Sequence, residues 1–201
     1  GGNAYLLQRV NHHVFKDVAA LMQNMELVTR HLKEKYRALG EIDPENRVLT
    51  LIPDHTGKPY LQDETGNFWR VFILLTNTRS YDIVESPQQA REGGRAFGQF
   101  QRLLADLDAG LIHEVLPNFH HIGKRLDRLD QAVAEDAIGR VRDVADELAF
   151  IAARRDQMQA IQHMAKAGRL PLRITHNDTK FNNVLLDERD QFQCVIDLDT
   201  V

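Results

Sequence analysis

Near the C-terminus, the polar run His176-Asn177-Asp178-Thr179-Lys180-Phe181-Asn182-Asn183 leads directly into an apolar hairpin. Leu170 to Thr175 reads as an extended lead-in, and Val184-Leu185-Leu186 as a short strand. Asp187 to Gln191 is a polar turn, and Phe192 to Ile196 returns as a second strand. A hairpin of this size brings Asn183 and Asp197 to the same open end. The fold must therefore present a cluster of acids, an amide and a cation at one sheet edge.

Those residue types carry a recognisable chemistry. Asp178 is a carboxylate placed to take a proton from a hydroxyl, and Lys180 is a cation two residues on. Asn183 is a neutral oxygen ligand, and Asp197 is a second carboxylate at the end of the next strand. Phosphoryl transfer needs this layout. The spacing H-x-D-x-K-x-x-N matches the catalytic loop H-R-D-x-x-x-x-N of protein kinases, where Asp is the base and Asn holds magnesium. Asp197 falls where those enzymes carry their other metal-binding Asp. The alternative is a turn capped by its own Asn and Asp side chains, with the acids merely solvated. The extended lead-in and the apolar hairpin favour the catalytic reading, because context is what makes a short motif specific. His176 is expected to bond the backbone rather than to take part in chemistry. Asp199 is expected either to assist the metal, to face the substrate or to be a solvated acid.

The rest of the chain predicts a small sheet with one helix, followed by a mainly helical part. Ala4 to Val10 reads as a strand. Asp17 to about Leu39 reads as a helix on Val18, Leu21, Met22, Met25, Val28 and Leu32, with Gly40 as its stop. Val48 to Ile52 is a strand closed by Pro53, and Tyr60 to Gln62 pairs with Phe68 to Leu75 across a polar turn. Residues 76–82 are polar and form the expected hinge. Ser86-Pro87-Gln88-Gln89 opens the next helix, which runs to about Leu107, with Ser as cap and Pro at the first helical position. A second long helix is predicted from about Gln131 to Ala167, with Gly168 past its end. This order predicts an α+β, protein-kinase-like two-lobed fold: residues 1–75 as a partial nucleotide-binding lobe, 76–85 as the hinge and 86–201 as a partial catalytic lobe.

Composition narrows the partners. With 25 basic and 29 acidic residues and a net charge of −4, the chain has no electrostatic footprint for nucleic acid. It has no 18-residue apolar run and no basic-then-apolar leader, so neither a membrane span nor a signal peptide is indicated, and a cytoplasmic enzyme is expected. The single cysteine, Cys194, excludes an internal disulfide and reads as a buried apolar residue. The pairs His12-His13 and His120-His121 have no further ligand at zinc spacing.

The stretches THNDTKFNNVLLD and CVIDLDT resemble the aminoglycoside phosphotransferase and choline kinase superfamily. YLLQRVNHHVFKDV, FWRVFILLTNTRSYDIVES, RAFGQFQRLLADLD and LPNFHHIGKRL resemble, within it, the N-acetylhexosamine 1-kinase-like sugar kinases. The resemblance implies transfer of the γ-phosphate of ATP or GTP, with Mg²⁺, to a hydroxyl of a sugar or amino-alcohol. Asp178 is then the base, Lys180 offsets charge on the transferring phosphate, and Asn183 and Asp197 hold the metal, with Asp199 as a further candidate ligand. Arg9 stands where the family has its phosphate-binding strand Lys; a guanidinium there could grip phosphate through two donors. Glu26 is the candidate partner for Arg9 in the nucleotide site, with Glu34 as the fallback and ordinary surface charges as the alternative. The resemblance also implies that the first two strands, the glycine-rich turn and the C-terminal substrate helices are missing. The chain is thus expected to be a fragment with little turnover of its own. Two rivals follow: a non-catalytic nucleotide-binding scaffold, and a metal-dependent phosphoesterase, which needs a second His-rich loop that this chain lacks. A P-loop kinase is excluded, because no G-x-x-x-x-G-K-[ST] occurs.

Overall fold

A computed structural model describes residues 4–201, so the expected chain start at Gly1-Gly2-Asn3 lies outside the described residues. Residues 4–116 together with 173–201 form one compact unit, and residues 117–172 form a second.

The first unit opens with β1 (Tyr5–Val10), α1 (Val18–Ala38), β2 (Leu51–Ile52), β3 (Leu61–Gln62) and β4 (Phe68–Ile73). Strand β4 is the hub of an antiparallel sheet. It pairs along its length with β1, at its start with β3 and near its end with β2. The β3–β4 turn forms because Asp63 accepts from the amides of Thr65 and Asn67, both at 2.9 Å, and from the Trp69 indole at 2.7 Å. Gly66 supplies the positive φ of 84° that this turn requires.

Helix α1 starts where Asp17 accepts from the Ala20 amide at 2.9 Å, a side-chain cap on an otherwise orphaned donor. Its apolar positions fall on one face, and Leu21, Met22, Met25 and Val28 are fully buried. Each such side chain removed from water contributes roughly 1.5–3 kcal/mol. Helix α2 (Pro87–Leu103) has Ser86 as its cap, accepting from Gln89 N at 3.2 Å, and buries Ala96, Phe100 and Leu103. Strands β6 (Val184–Asp187) and β7 (Phe192–Val195) form the expected hairpin. The buried Glu92 of α2 accepts from the Phe192 amide at 2.9 Å and so ties helix to hairpin. Cys194 lies in this hairpin, fully buried, and its thiol is pushed up to about 12, chiefly by desolvation.

Several expectations are corrected. The strand expected at residues 48–52 is only Leu51–Ile52, β4 stops at Ile73, and α2 stops at Leu103. The polar hinge at 76–82 contains β5 (Thr78–Arg79), which pairs with β6 and extends the hairpin to three strands. Asn77, at φ 59°, turns the chain there, and Thr78 Oγ1 donates to Leu75 O at 2.9 Å. One hydrophobic core joins Val10, Met25, Phe72, Phe100, Leu186 and Leu198 across both sheets and both helices. Residues 76–85 lie within this unit.

The second unit replaces the long helix expected over 131–167 with four shorter ones. These are α3 (Ile122–Glu135), α4 (Ala145–Ala152), α5 (Arg155–Met158) and α6 (Ala160–Lys166). Asp136 (φ 36°) and Gly139 (φ 67°) adopt left-handed backbone, and the Asp136 carboxylate accepts from Val141 N at 3.1 Å, which ends α3. Arg155 of α5 forms an ion pair with Asp130 of α3, with Nη1 to Oδ1 at 2.9 Å. Among the described residues, no helix is long and apolar enough to cross a membrane.

Candidate functional site

The polar loop is pinned from beneath by His176, which is 1% exposed. Its Nε2 bonds to Ile196 O at 2.8 Å, and its Nδ1 accepts from Asp178 N at 3.3 Å. Those two bonds assign the proton to Nε2. The rings of Phe97 and Phe100 meet the imidazole edge-on at 5.4 and 5.7 Å. His176 is thus a fastener between the loop and the end of β7, as expected.

Asn183 is buried. Its Nδ2 donates to Asp178 O at 2.8 Å and to Asp178 Oδ2 at 3.1 Å, which leaves its side-chain oxygen for another partner. Lys180 Nζ lies 3.1 Å from the same Oδ2, and that carboxylate holds the Lys180 ammonium above its usual pKa. Asp178 Oδ2 is therefore engaged twice, and Oδ1 remains to accept a proton. Ile196 N donates to Asn183 O at 2.9 Å, so the hairpin register delivers Asp197 beside Asn183. Asp197 has left-handed backbone, at φ 61° and ψ 57°. Burial, then the charge of Asp199, raise its pKa above the usual carboxylate range. The nearby Asp178 charge adds to this, and Lys180 opposes it. Asp178, Lys180, Asn183 and Asp197 thus share one end of the hairpin.

A cleft of about 510 Å³ adjoins this end. Its walls include Leu6, Phe72, Leu185 and Ile196, and Asn183 and Asp197 line it too. Apolar walls with a few convergent polar groups are the usual form of a small-molecule site.

Three predicted site residues fall elsewhere. Asp199 does not face the hairpin end as a free ligand, because both its oxygens are bonded to the guanidinium of Arg70, Oδ2 at 2.9 Å from Nη2. Arg9 pairs in register with Trp69 and points to the sheet face opposite Gln8 and Arg70, the two that line the cleft. Glu26 is exposed on α1, and among the described residues no ion pair joins Arg9 to Glu26 or to Glu34. The physical reason is the two-residue period of a strand: Arg9 and the cleft-facing Gln8 cannot share a face. The buried cation comes instead from Arg70, which the sequence reading missed. Its signal was present, since a lone charge inside Phe68-Trp69-Arg70-Val71-Phe72-Ile73 has to be paired once that strand is buried.

Among the described residues no group of three or more His, Cys, Asp or Glu side chains is arranged to hold a metal ion. The oxygen donors at the hairpin end are instead one amide and one carboxylate. An α+β fold with small antiparallel sheets, two capped helices in its core, and a loop and hairpin that together carry Asp178, Lys180, Asn183 and Asp197 defines a kinase-like phosphotransferase. The model of the phosphotransferase enzyme family (APH) matches residues 14–201, and the chain belongs to that family.

Proposed function

We propose that this site moves the γ-phosphoryl group of ATP to a hydroxyl of a small molecule in the cytoplasm. The acceptor best supported by sequence resemblance is the anomeric hydroxyl of an N-acetylhexosamine. The observation that carries the reading is the junction of Asp178, Lys180 and Asn183, with Asp197 within electrostatic reach of Asp178 and Lys180.

Asp178 accepts the hydroxyl proton through its unengaged Oδ1 as the acceptor oxygen bonds to phosphorus and the bond to the nucleoside diphosphate breaks. Lys180 keeps its proton beside Asp178, so it offers fixed positive charge to the transferring group. Asn183 holds the base in place through its amide nitrogen, which leaves its amide oxygen to serve the metal. Asn183 and Asp197 fit Mg²⁺, a hard ion that takes one or two protein oxygens and completes its shell with water and phosphate. When bound, that ion supplies charge neutralisation on the nucleotide phosphates. On this reading Arg9, Glu26 and Asp199 stay outside the reacting set.

The test uses the gene-encoded protein with MgATP or MgGTP and N-acetylglucosamine, N-acetylgalactosamine, choline or kanamycin. Phosphorylated product is followed by ³¹P NMR. Product from an N-acetylhexosamine, lost in Asp178→Ala, is expected. Product from choline or kanamycin alone moves the acceptor to the amino-alcohol side of the family. Nucleotide binding with no product from any acceptor supports a scaffold instead.

A further inference from the structure

We infer that Arg70 and Asp199 form a buried clamp that holds the Leu198–Thr200 turn so that Asp197 is presented to a metal–nucleotide complex, making Arg70 a positioning residue. The inference rests on the function proposed above and goes beyond it, because neither side chain belongs to the reacting set.

Arg70 lies on β4, 4% exposed. Its Nε and Nη2 donate to Gln8 Oε1 on β1 at 2.9 and 2.8 Å. Its Nη2 also donates to Asp199 Oδ2 at 2.9 Å, and its Nη1 bonds to Asp199 Oδ1. The sulfurs of Met22 and Met25 stand 3.9 Å from Nη1, and the guanidinium carbon lies 5.2 Å from the Phe72 ring centre. All three guanidinium nitrogens are thus bonded to Gln8 or Asp199, so Arg70 is not the phosphate grip expected of Arg9. A buried ion pair is weak evidence for stability, since desolvating two charges offsets most of their attraction. What the pair does secure is geometry: planar bidentate contact fixes both distance and orientation.

The geometry it secures belongs to Asp197. That residue sits in left-handed backbone, which a non-glycine residue keeps only where its surroundings over-determine it. Before it, Ile196 N is bonded to Asn183 O. After it, the turn is held at Asp199 by Arg70, and at Thr200 by bonds to His176 O at 2.6 Å and from Asn177 Nδ2 at 2.7 Å. The Arg70 contact ties this turn to β4, which also walls the cleft through Phe72. A side chain that orients a metal ligand typically changes metal affinity 10–100-fold when it is altered.

The test measures ATP affinity by calorimetry in EDTA and in MgCl₂, with thermal unfolding followed alongside. Emission of Trp69, the chain's single tryptophan and the neighbour of Arg70, gives an independent readout. Arg70→Lys keeps the charge but cannot bond Gln8 and Asp199 together in a bidentate plane. Arg70→Met with Asp199→Asn removes both charges at once and leaves no buried ion unpaired, so it serves where the single variant fails to fold. In either variant, the strengthening of ATP binding by Mg²⁺ is expected to fall by about 10-fold or more. Any loss of affinity in EDTA should be smaller than the loss in MgCl₂. Parent-like Mg²⁺ enhancement in the folded variants overturns the clamp, and so does an equal loss in EDTA and in MgCl₂. A parent protein whose ATP binding ignores Mg²⁺ overturns the functional reading itself and the clamp with it.

Discussion

Gly93 and Gly94 are neighbours in α2, yet an added methyl group should act on them in opposite directions. A Cβ built on Gly93 stands 2.8 and 2.9 Å from Cδ2 and Cε2 of the Phe181 ring, whereas one built on Gly94 meets nothing within 4 Å. Carbon atoms pack best at roughly 3.5–4.0 Å, so the first methyl forces the ring to move. Both substitutions gain about 1 kcal/mol of helix propensity, and that gain cancels in the comparison. What remains is overpacking at Gly93, which typically costs about 1–3 kcal/mol. Gly94→Ala should therefore be more stable than Gly93→Ala by that margin, on the order of 2–10 °C in Tm for a chain of this size. Phe181 also follows Lys180 and precedes Asn183, and it packs on the Tyr81 ring at 6.3 Å, so its displacement disturbs the polar loop. Phosphoryl transfer should fall in Gly93→Ala and hold in Gly94→Ala. Thermal unfolding and initial rates of the two variants decide the matter. Equal Tm and equal rates would refute the claim that the helix packs against the loop through this one missing methyl.

Two further outcomes concern stability. Asp197 has its pKa raised by burial and then by the Asp199 charge, so between its unfolded value of about 3.9 and its folded value the native state holds more protons than the unfolded chain. Ionising it costs stability as pH rises through that window, and Asp197→Asn in metal-free buffer should raise Tm at neutral pH, with the advantage fading toward about pH 3; an unchanged or lower neutral Tm counts against the assignment. Ser86→Ala removes the cap on Gln89 N and should cost about 1 kcal/mol in urea unfolding, while Pro87 keeps the helix start in place.

What could be read in advance was whatever rests on local chemistry. Ser86 caps α2 as its side chain dictates, α1 begins beside Asp17, and the hairpin after Asn183 follows from two apolar runs around a polar turn. The long helix over 131–167 failed because Val133, Ala137, Val141 and Val144 keep helical spacing across a break at Asp136 and Gly139, where left-handed backbone and the Asp136 carboxylate end α3. Strand β5 was hidden for a related reason: its pairing to β6 uses main-chain groups that leave no residue pattern in two positions. Within the site, Asp178, Lys180 and Asn183 were legible because their spacing sets their contacts. The partner of Asp199 was not, because Arg70 lies 129 residues away along the chain and only tertiary packing of β4 against the Leu198–Thr200 turn brings it there.

The central claim is that Asn183 and Asp197 bind one metal–nucleotide complex while Asp178 acts on the acceptor. Titration of Mn²⁺ with ATP, followed by electron paramagnetic resonance, tests it most directly in the parent, Asn183→Ala, Asp197→Ala and Asp178→Asn. Ternary-complex affinity should drop in the first two variants and stay near the parent's in Asp178→Asn, whose transfer rate falls by about 10²–10⁴-fold. Retention of Mn²⁺–ATP binding in Asn183→Ala and Asp197→Ala, or a normal transfer rate in Asp178→Asn, would contradict the account.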